Sequence, residues 1–210
     1  MGKPYRPKDH FFQRAKQRGF RARSAFKLEE LVRRFGLLRP GVRVLDLGAA
    51  PGGFLQVVAR EVGPSGLAVG VDLVPLQPFR EAWVRTGVVD VLADDARARI
   101  EALAPGPYDT VLSDMAPKTT GVRATDEARS VRLAERALEL ALALGKPGSS
   151  FVAKLFMGGD FESFRGRLRE AYREVKVVRP EATRSASVEV YLVGLGLGGR
   201  PARGPREGGQ

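Results

Sequence analysis

Runs of apolar residues punctuated by turn formers set the frame of this chain. VRVLDL (42–47), LAVGVDL (67–73), VVDVLA (88–93), YDTVLSD (108–114), SSFVAKLF (149–156) and VEVYLVGLG (188–196) read as strands. Several are nearly continuous apolar runs, the pattern of strands covered on both faces. Helical periodicity marks GFLQVVAREVG (53–63), DEARSVRLAERALELALALG (126–145) and DFESFRGRLREAYREV (160–175). Thr125 or Asp126 is the expected N-cap of the second and Gly145, before Pro147, its stop; Asp160 is the expected cap of the third. Upstream, Leu28, Leu31, Val32 and Phe35 recur at helical spacing between Ser24, a cap, and Gly36, a terminator. Strands alternating with helices predict a doubly wound α/β sheet.

Lys154 breaks the pattern, because Phe151, Val152, Leu155 and Phe156 surround it in an otherwise buried strand. An unpaired buried ammonium costs several kcal/mol or loses its proton. The bland alternative is an edge strand whose lysine snorkels to water.

Composition narrows the chemistry. At 210 residues, 43% hydrophobic and 28% charged, the chain has the profile of one globular domain. No apolar run reaches the ~20 residues of a membrane span and no signal-peptide pattern opens the chain, so a cytoplasmic protein is expected. There is no cysteine and one histidine, His10. Thiolate metal sites, cysteine nucleophiles, multi-histidine metal sites and a Ser-His-Asp triad all fall away, and no metal is expected. The net charge of +11 is lopsided: residues 1–39 hold twelve Lys/Arg against three acids, a balance of +9, whereas the other 171 residues carry only +2. A basic arm and helix (1–39), part of the same domain, thus precede a near-neutral core (40–197), with a tail (198–210) expected to be disordered. Such an arm predicts a polyanion partner, and nucleic acid suits it better than a membrane, because the arm lacks a clean apolar face.

VLDLGAAPGGFLQ (44–56) is a strand, a glycine-rich turn and a helix start, yet it lacks the G-x-G-x-x-G spacing of a dinucleotide site. Asp72 ends the second strand, where a carboxylate can accept both hydroxyls of a ribose. Asp94, with Asp95 beside it as the alternative, follows the third strand and can accept from an exocyclic amine. An adenosine pocket without a phosphate clamp suits S-adenosylmethionine, held by Gly52, Gly53 and Phe54 together with Asp72 and Asp94.

LDLGAAPGGF, VDLVPLQP, LSDMAP, FVAKLF and SVEVYLVG, in this order and preceded by FRARSAFKLEE, resemble the FtsJ-type ribose 2′-O-methyltransferases over nearly the whole chain. Phe54 stands where the bacterial members usually carry Trp. The resemblance implies a Rossmann-like S-adenosylmethionine-dependent methyltransferase fold, with a mostly parallel central sheet and helices on both faces. It implies a Lys-Asp-Lys-Glu tetrad at Lys27, Asp114, Lys154 and Glu189, with Asp114 also at the cofactor. It implies methylation of a uridine ribose in 23S rRNA of the large ribosomal subunit. Lys154 becomes the candidate proton acceptor, or alternatively an ammonium that steers the hydroxyl. Glu189 is expected to meet Lys154 across the sheet, and Arg21 and Arg23 to grip RNA phosphate. A monomer is expected. Rival readings are a methyltransferase acting on tRNA or another RNA, and a non-catalytic RNA-binding ribosome assembly factor on the same fold. Pyrimidine C5 methylation needs the cysteine this chain lacks, and exocyclic-amine methylation a [DN]-P-P-[YF] motif where DMAP stands.

Overall fold

The computed structural model describes residues 8–183 and 187–198, so most of the tail lies outside the described residues. Seven strands form one sheet: β1 (Arg43–Leu47), β2 (Leu67–Asp72), β3 (Val84–Val88), β4 (Tyr108–Ser113), β5 (Gly145–Phe156), β6 (Tyr172–Val178) and β7 (Glu189–Leu197), in the order β3-β2-β1-β4-β5-β7-β6. β1 to β5 pair in parallel, and β7 runs antiparallel to both β5 and β6. The order reverses between β1 and β4, which opens a crevice at their carboxyl ends.

Period-two alternation sends successive side chains to opposite faces. Leu45, Leu47, Val69, Val111, Phe151 and Leu155 pack with α4 (Ala96–Leu103), α5 (Arg123–Leu144) and α6 (Phe161–Ala171). Val44, Ala68, Leu112, Val152, Tyr191 and Val193 pack with α2 (Ser24–Phe35) and α3 (Gly53–Val62). Ala25, Leu28 and Leu31 of α2 are fully buried in that second layer, so the helix of the basic arm is built into the domain. α1 (Lys8–Gln17) adds a small annex in which Ala15, Phe26 and Ala182 meet Phe11 and Phe20.

The pattern reading misplaces one strand and reads part of another as helix. β3 is VRTGV, five residues whose side chains are mostly half-exposed, rather than VVDVLA at 88–93. Val89 and Val91 are buried as loop residues, and Asp90 Oδ1 accepts the Leu92 N–H at 2.9 Å in a turn that ends the strand. The third predicted helix stops at Ala171, and its last residues belong to β6. Tyr172 stacks on Phe151 with centroids 6.0 Å apart, and a Cβ on Gly194 would come within 2.7 Å of the Tyr172 ring. That close fit fixes the chain in an extended path despite the helical period of REAYREV. The helix ends are also adjusted. α2 is preceded by Arg23 at the cap position, α5 starts at Arg123, and Asp160 precedes α6 without a side-chain cap bond.

Candidate active site

Lys154 shares its sheet face with Val152, and the β5–β7 register sets it opposite Tyr191. Its side chain is 9% exposed, so it does not reach water as a snorkelling lysine would. Its Nζ donates to the Asp114 carbonyl oxygen at 2.6 Å and lies 3.0 Å from Asp114 Oδ1. Asp114 follows β4, at the open end of the sheet. The Tyr191 hydroxyl donates to the same Oδ1 at 2.6 Å. Burial, and then the Asp114 carboxylate, push the Tyr191 phenol well above its ordinary value, which keeps it a hydrogen-bond donor.

Lys27 projects from α2 toward the same face. Its ammonium forms an ion pair with Glu189, and both side chains are largely buried. The Lys27 Nζ also lies 5.6 Å from the centre of the Tyr191 ring. The four residues picked from the sequence are therefore assembled as two pairs, Lys27–Glu189 and Lys154–Asp114, with Tyr191 touching both. Glu189 does not meet Lys154 across the sheet, because the register sets it opposite Phe156. Tyr191 was not among the sequence candidates. Its signal is its position two residues after Glu189, on the same face of the strand.

Beside these pairs lies a cleft of about 590 Å³, lined among others by Gly48, Asp72, Asp90, Asp114, Met115 and Leu133. Asp72 is pinned at its mouth: Oδ2 accepts from the Ala50 N–H at 2.9 Å and Oδ1 from the Val74 N–H at 3.2 Å. Gly48 has φ +77°, and a Cβ there would sit 2.5 Å from the Met115 side chain. Of the three carboxylates that line it, Asp72 and Asp90 stand among apolar residues and fit an adenosine, as acceptors for ribose hydroxyls and an amine beside apolar surface for a ring.

The structure does not bring every candidate to this cleft. Asp94 is exposed in the turn before α4 and does not line it, and Asp95 sits at the α4 cap position. Asp90 lines the cleft, two residues past the end of β3, which stops earlier than its apolar pattern suggests. Gly52, Gly53 and Phe54 are not lining residues either. The glycines face the segment that leads into α2: a Cβ on Gly53 would lie 2.9 Å from Ala22 Cβ, and one on Gly52 would lie 3.0 Å from the Arg21 side chain. Phe54 is buried and stacked on Tyr191 at 6.4 Å. Below the cleft, Asp46 is fully buried and both carboxyl oxygens lack a hydrogen-bond partner. Desolvation, reinforced by Asp114 and Asp72, raises its pKa well above the ordinary 3.8. Among the described residues, no cluster of three or more His, Cys, Asp or Glu is placed to hold a metal ion.

Arg21 is already engaged within the protein. Its guanidinium donates to the carbonyls of Gln77 and Pro78, each at 2.7 Å, and lies 3.9 Å above the Phe79 ring. Its backbone N–H donates to Gln56 Oε1 at 2.7 Å, and Gln56 Nε2 returns a bond to the Gly19 carbonyl at 3.0 Å. This residue latches the segment before α2 onto α3 and the loop after β2. Arg23 is half-buried at the α2 cap position.

Residues 20–197 match the model of the FtsJ-like methyltransferase family. The chain belongs to that family. A protein named ribosomal RNA large subunit methyltransferase E from Myxococcus xanthus is 66% identical over 195 residues, covering 93% of this chain and 92% of that one. A protein of the same name from an Anaeromyxobacter species is 54% identical, covering 97% and 74%. A ribosomal RNA methyltransferase from Plasmodium falciparum superposes with a TM-score of 0.72 at 23% identity, over 86% of this chain and all of that one. An S-adenosylmethionine-dependent O-methyltransferase from Thermotoga maritima superposes at 0.55 with 14% identity, over 84% and 66%. These two likenesses bear out the Rossmann-like fold. The FtsJ-like family match covers α2 through β7, and so contains all four tetrad positions and the cleft.

Proposed function

We propose that this protein transfers a methyl group from S-adenosylmethionine to a ribose 2′-hydroxyl, that of a uridine in 23S rRNA of the large ribosomal subunit. The observation that carries the reading is the buried Lys154 side chain, held by Asp114, which itself lines a cleft of about 590 Å³. The relatives' names supply the substrate class.

When bound, S-adenosylmethionine supplies an electrophilic methyl on a sulfonium. Asp72 would accept from the ribose hydroxyls and Asp90 from the adenine amine, while Met115 and Leu133 exclude water. Lys154, as the neutral amine, would take the proton of the 2′-hydroxyl as the oxygen–methyl bond forms and the methyl–sulfonium bond breaks, the cofactor leaving as its thioether, and Asp114 fixes where the Lys154 Nζ points. Tyr191 positions Asp114, and the Lys27–Glu189 pair closes the face toward α2. Most of the rate would come from alignment of hydroxyl and methyl, with ~10²–10⁴-fold from proton transfer. A cytoplasmic monomer is proposed; no described helix is long and apolar enough to cross a membrane.

The test is methyl transfer by the purified protein to large ribosomal subunits and to naked 23S rRNA, followed by ribose-methylation mapping. A single 2′-O-methylated uridine is expected. Methyl found on a base, or on tRNA in preference to rRNA, would overturn the assignment.

A further inference from the structure

The outer wall of the cleft carries Lys118, from the segment after β4, and Arg129 and Arg132 from α5. All three are exposed, and the two arginines, three positions apart, share one helix face. Among the described residues none of the three forms an ion pair, although α5 is rich in acids. Each acid of that helix has its hydrogen-bond or ion-pair partner outside these three cations. Asp126 accepts from Thr120 and Gly121, while Glu127 pairs with Arg123, Glu135 with Arg167 and Glu139 with Arg136. The three cations do not pair with Asp72, Asp90 or Asp114 across the cleft either. Arg129 donates to the Lys118 carbonyl at 3.5 Å, and its charge also favours the Asp126 carboxylate one helical turn away, without an ion pair. Three like charges on one rim repel one another, and they stand on the part of the chain whose overall balance is only +2.

We infer that Lys118, Arg129 and Arg132 form a phosphate-binding rim for the substrate RNA, next to the reacting nucleotide. The inference rests on the proposed RNA methyl transfer. Because these residues line the same cleft as Asp114, the phosphodiesters they hold must lie close in sequence to the ribose presented to Lys154. Three solvent-facing cations exceed what the one carboxylate of the cofactor would need, and guanidinium groups suit phosphate oxygens by forked hydrogen bonds. The rim also supplies the phosphate contacts that Arg21, bound to Gln77, Pro78 and Phe79, does not offer.

The experiment compares wild type with the triple variant Lys118→Ala/Arg129→Ala/Arg132→Ala and with the single variants Arg132→Ala and Arg132→Glu. RNA affinity is measured on a 23S rRNA transcript between about 50 and 200 mM salt, the range over which phosphate contacts dominate. Cofactor affinity and thermal midpoint are measured alongside. The triple variant should lose about 2–3 from the slope of log affinity against log salt, at 0.7–0.9 per contact, with cofactor affinity and midpoint unchanged. Arg132→Glu should weaken RNA binding more than Arg132→Ala. An unchanged slope in a variant that still folds and binds cofactor overturns the rim. So does a loss of cofactor affinity with RNA binding intact, which would assign the cations to the cofactor carboxylate. Wild type run in parallel separates the two levels: if it binds cofactor but methylates no RNA, the functional reading itself falls.

Discussion

Lys154 shows how much a single position can report. A lysine amid apolar neighbours is legible as an anomaly in sequence, and the structure resolves it through Asp114 rather than through solvent. Lys154→Ala should reduce single-turnover methyl transfer at least ~100-fold while leaving cofactor affinity intact. Lys154→Arg keeps a cation but cannot accept a proton near neutral pH, so appreciable activity in it would assign the lysine to orientation. An alanine variant with wild-type turnover would return Lys154 to a structural role. Asp90 and Asp94 provide a sharper contrast. Asp90→Ala should weaken S-adenosylmethionine binding by about 1–3 kcal/mol, and Asp94→Ala should not, as calorimetric titration would show. The reverse result would restore the reading from the apolar pattern. Asp46 is a third case, in which folding raises the pKa of a carboxyl. The folded state then holds the proton more tightly than the unfolded chain. Its stabilising effect is full below 3.8 and is lost as pH rises toward the folded value. Denaturant melts of wild type and Asp46→Asn should therefore diverge as pH rises from about 4 to about 8, with wild type losing the more stability. Parallel curves would mean that Asp46 titrates normally.

At the scale of elements, the apolar runs located β1, β2, β4, β5 and β7 well, because central strands covered on both faces leave a continuous signature. The edges were less legible. β3 and β6 lie at the two ends of the sheet, where exposed side chains dilute the pattern, and the apolar VVDV run belongs to a loop. With the strand set by that run, Asp94 or Asp95 is the first carboxylate expected after it, and Asp90 falls inside the run. α1 and α4 are short and weakly patterned, and neither was expected. The four tetrad positions were legible through motif resemblance, but their pairing was not, since register is a property of the sheet and not of either strand alone. The internal partners of Arg21 were not legible for a related reason: charge is visible in sequence and its partners are not. As a latch, Arg21 holds the loop after β2, which begins at the Asp72 side of the cleft. Arg21→Ala should therefore weaken cofactor binding and leave the salt dependence of RNA binding unchanged. A flatter salt slope with unaltered cofactor affinity would put Arg21 back on phosphate.

Across the whole molecule, the Lys27–Glu189 pair ties the helix of the basic arm to the last strand, residues 162 positions apart. Both partners are largely buried, so the pair is a poor source of net stability but a costly one to break. Lys27→Met leaves the Glu189 carboxylate without its counter-ion, and a loss of about 3–5 kcal/mol is expected. Adding Glu189→Gln removes the stranded charge and should recover a large part of that loss. Activity should follow a different course. If the pair shapes the site and does not merely hold α2, methyl transfer stays depressed in the double variant even where folding is restored. Chemical denaturation of wild type, both single variants and the double variant closes the cycle, with single-turnover transfer measured on each. Recovery of stability and activity together would reduce the pair to a tether between the two ends of the fold. Recovery of stability alone would make the arm's helix part of the reaction site.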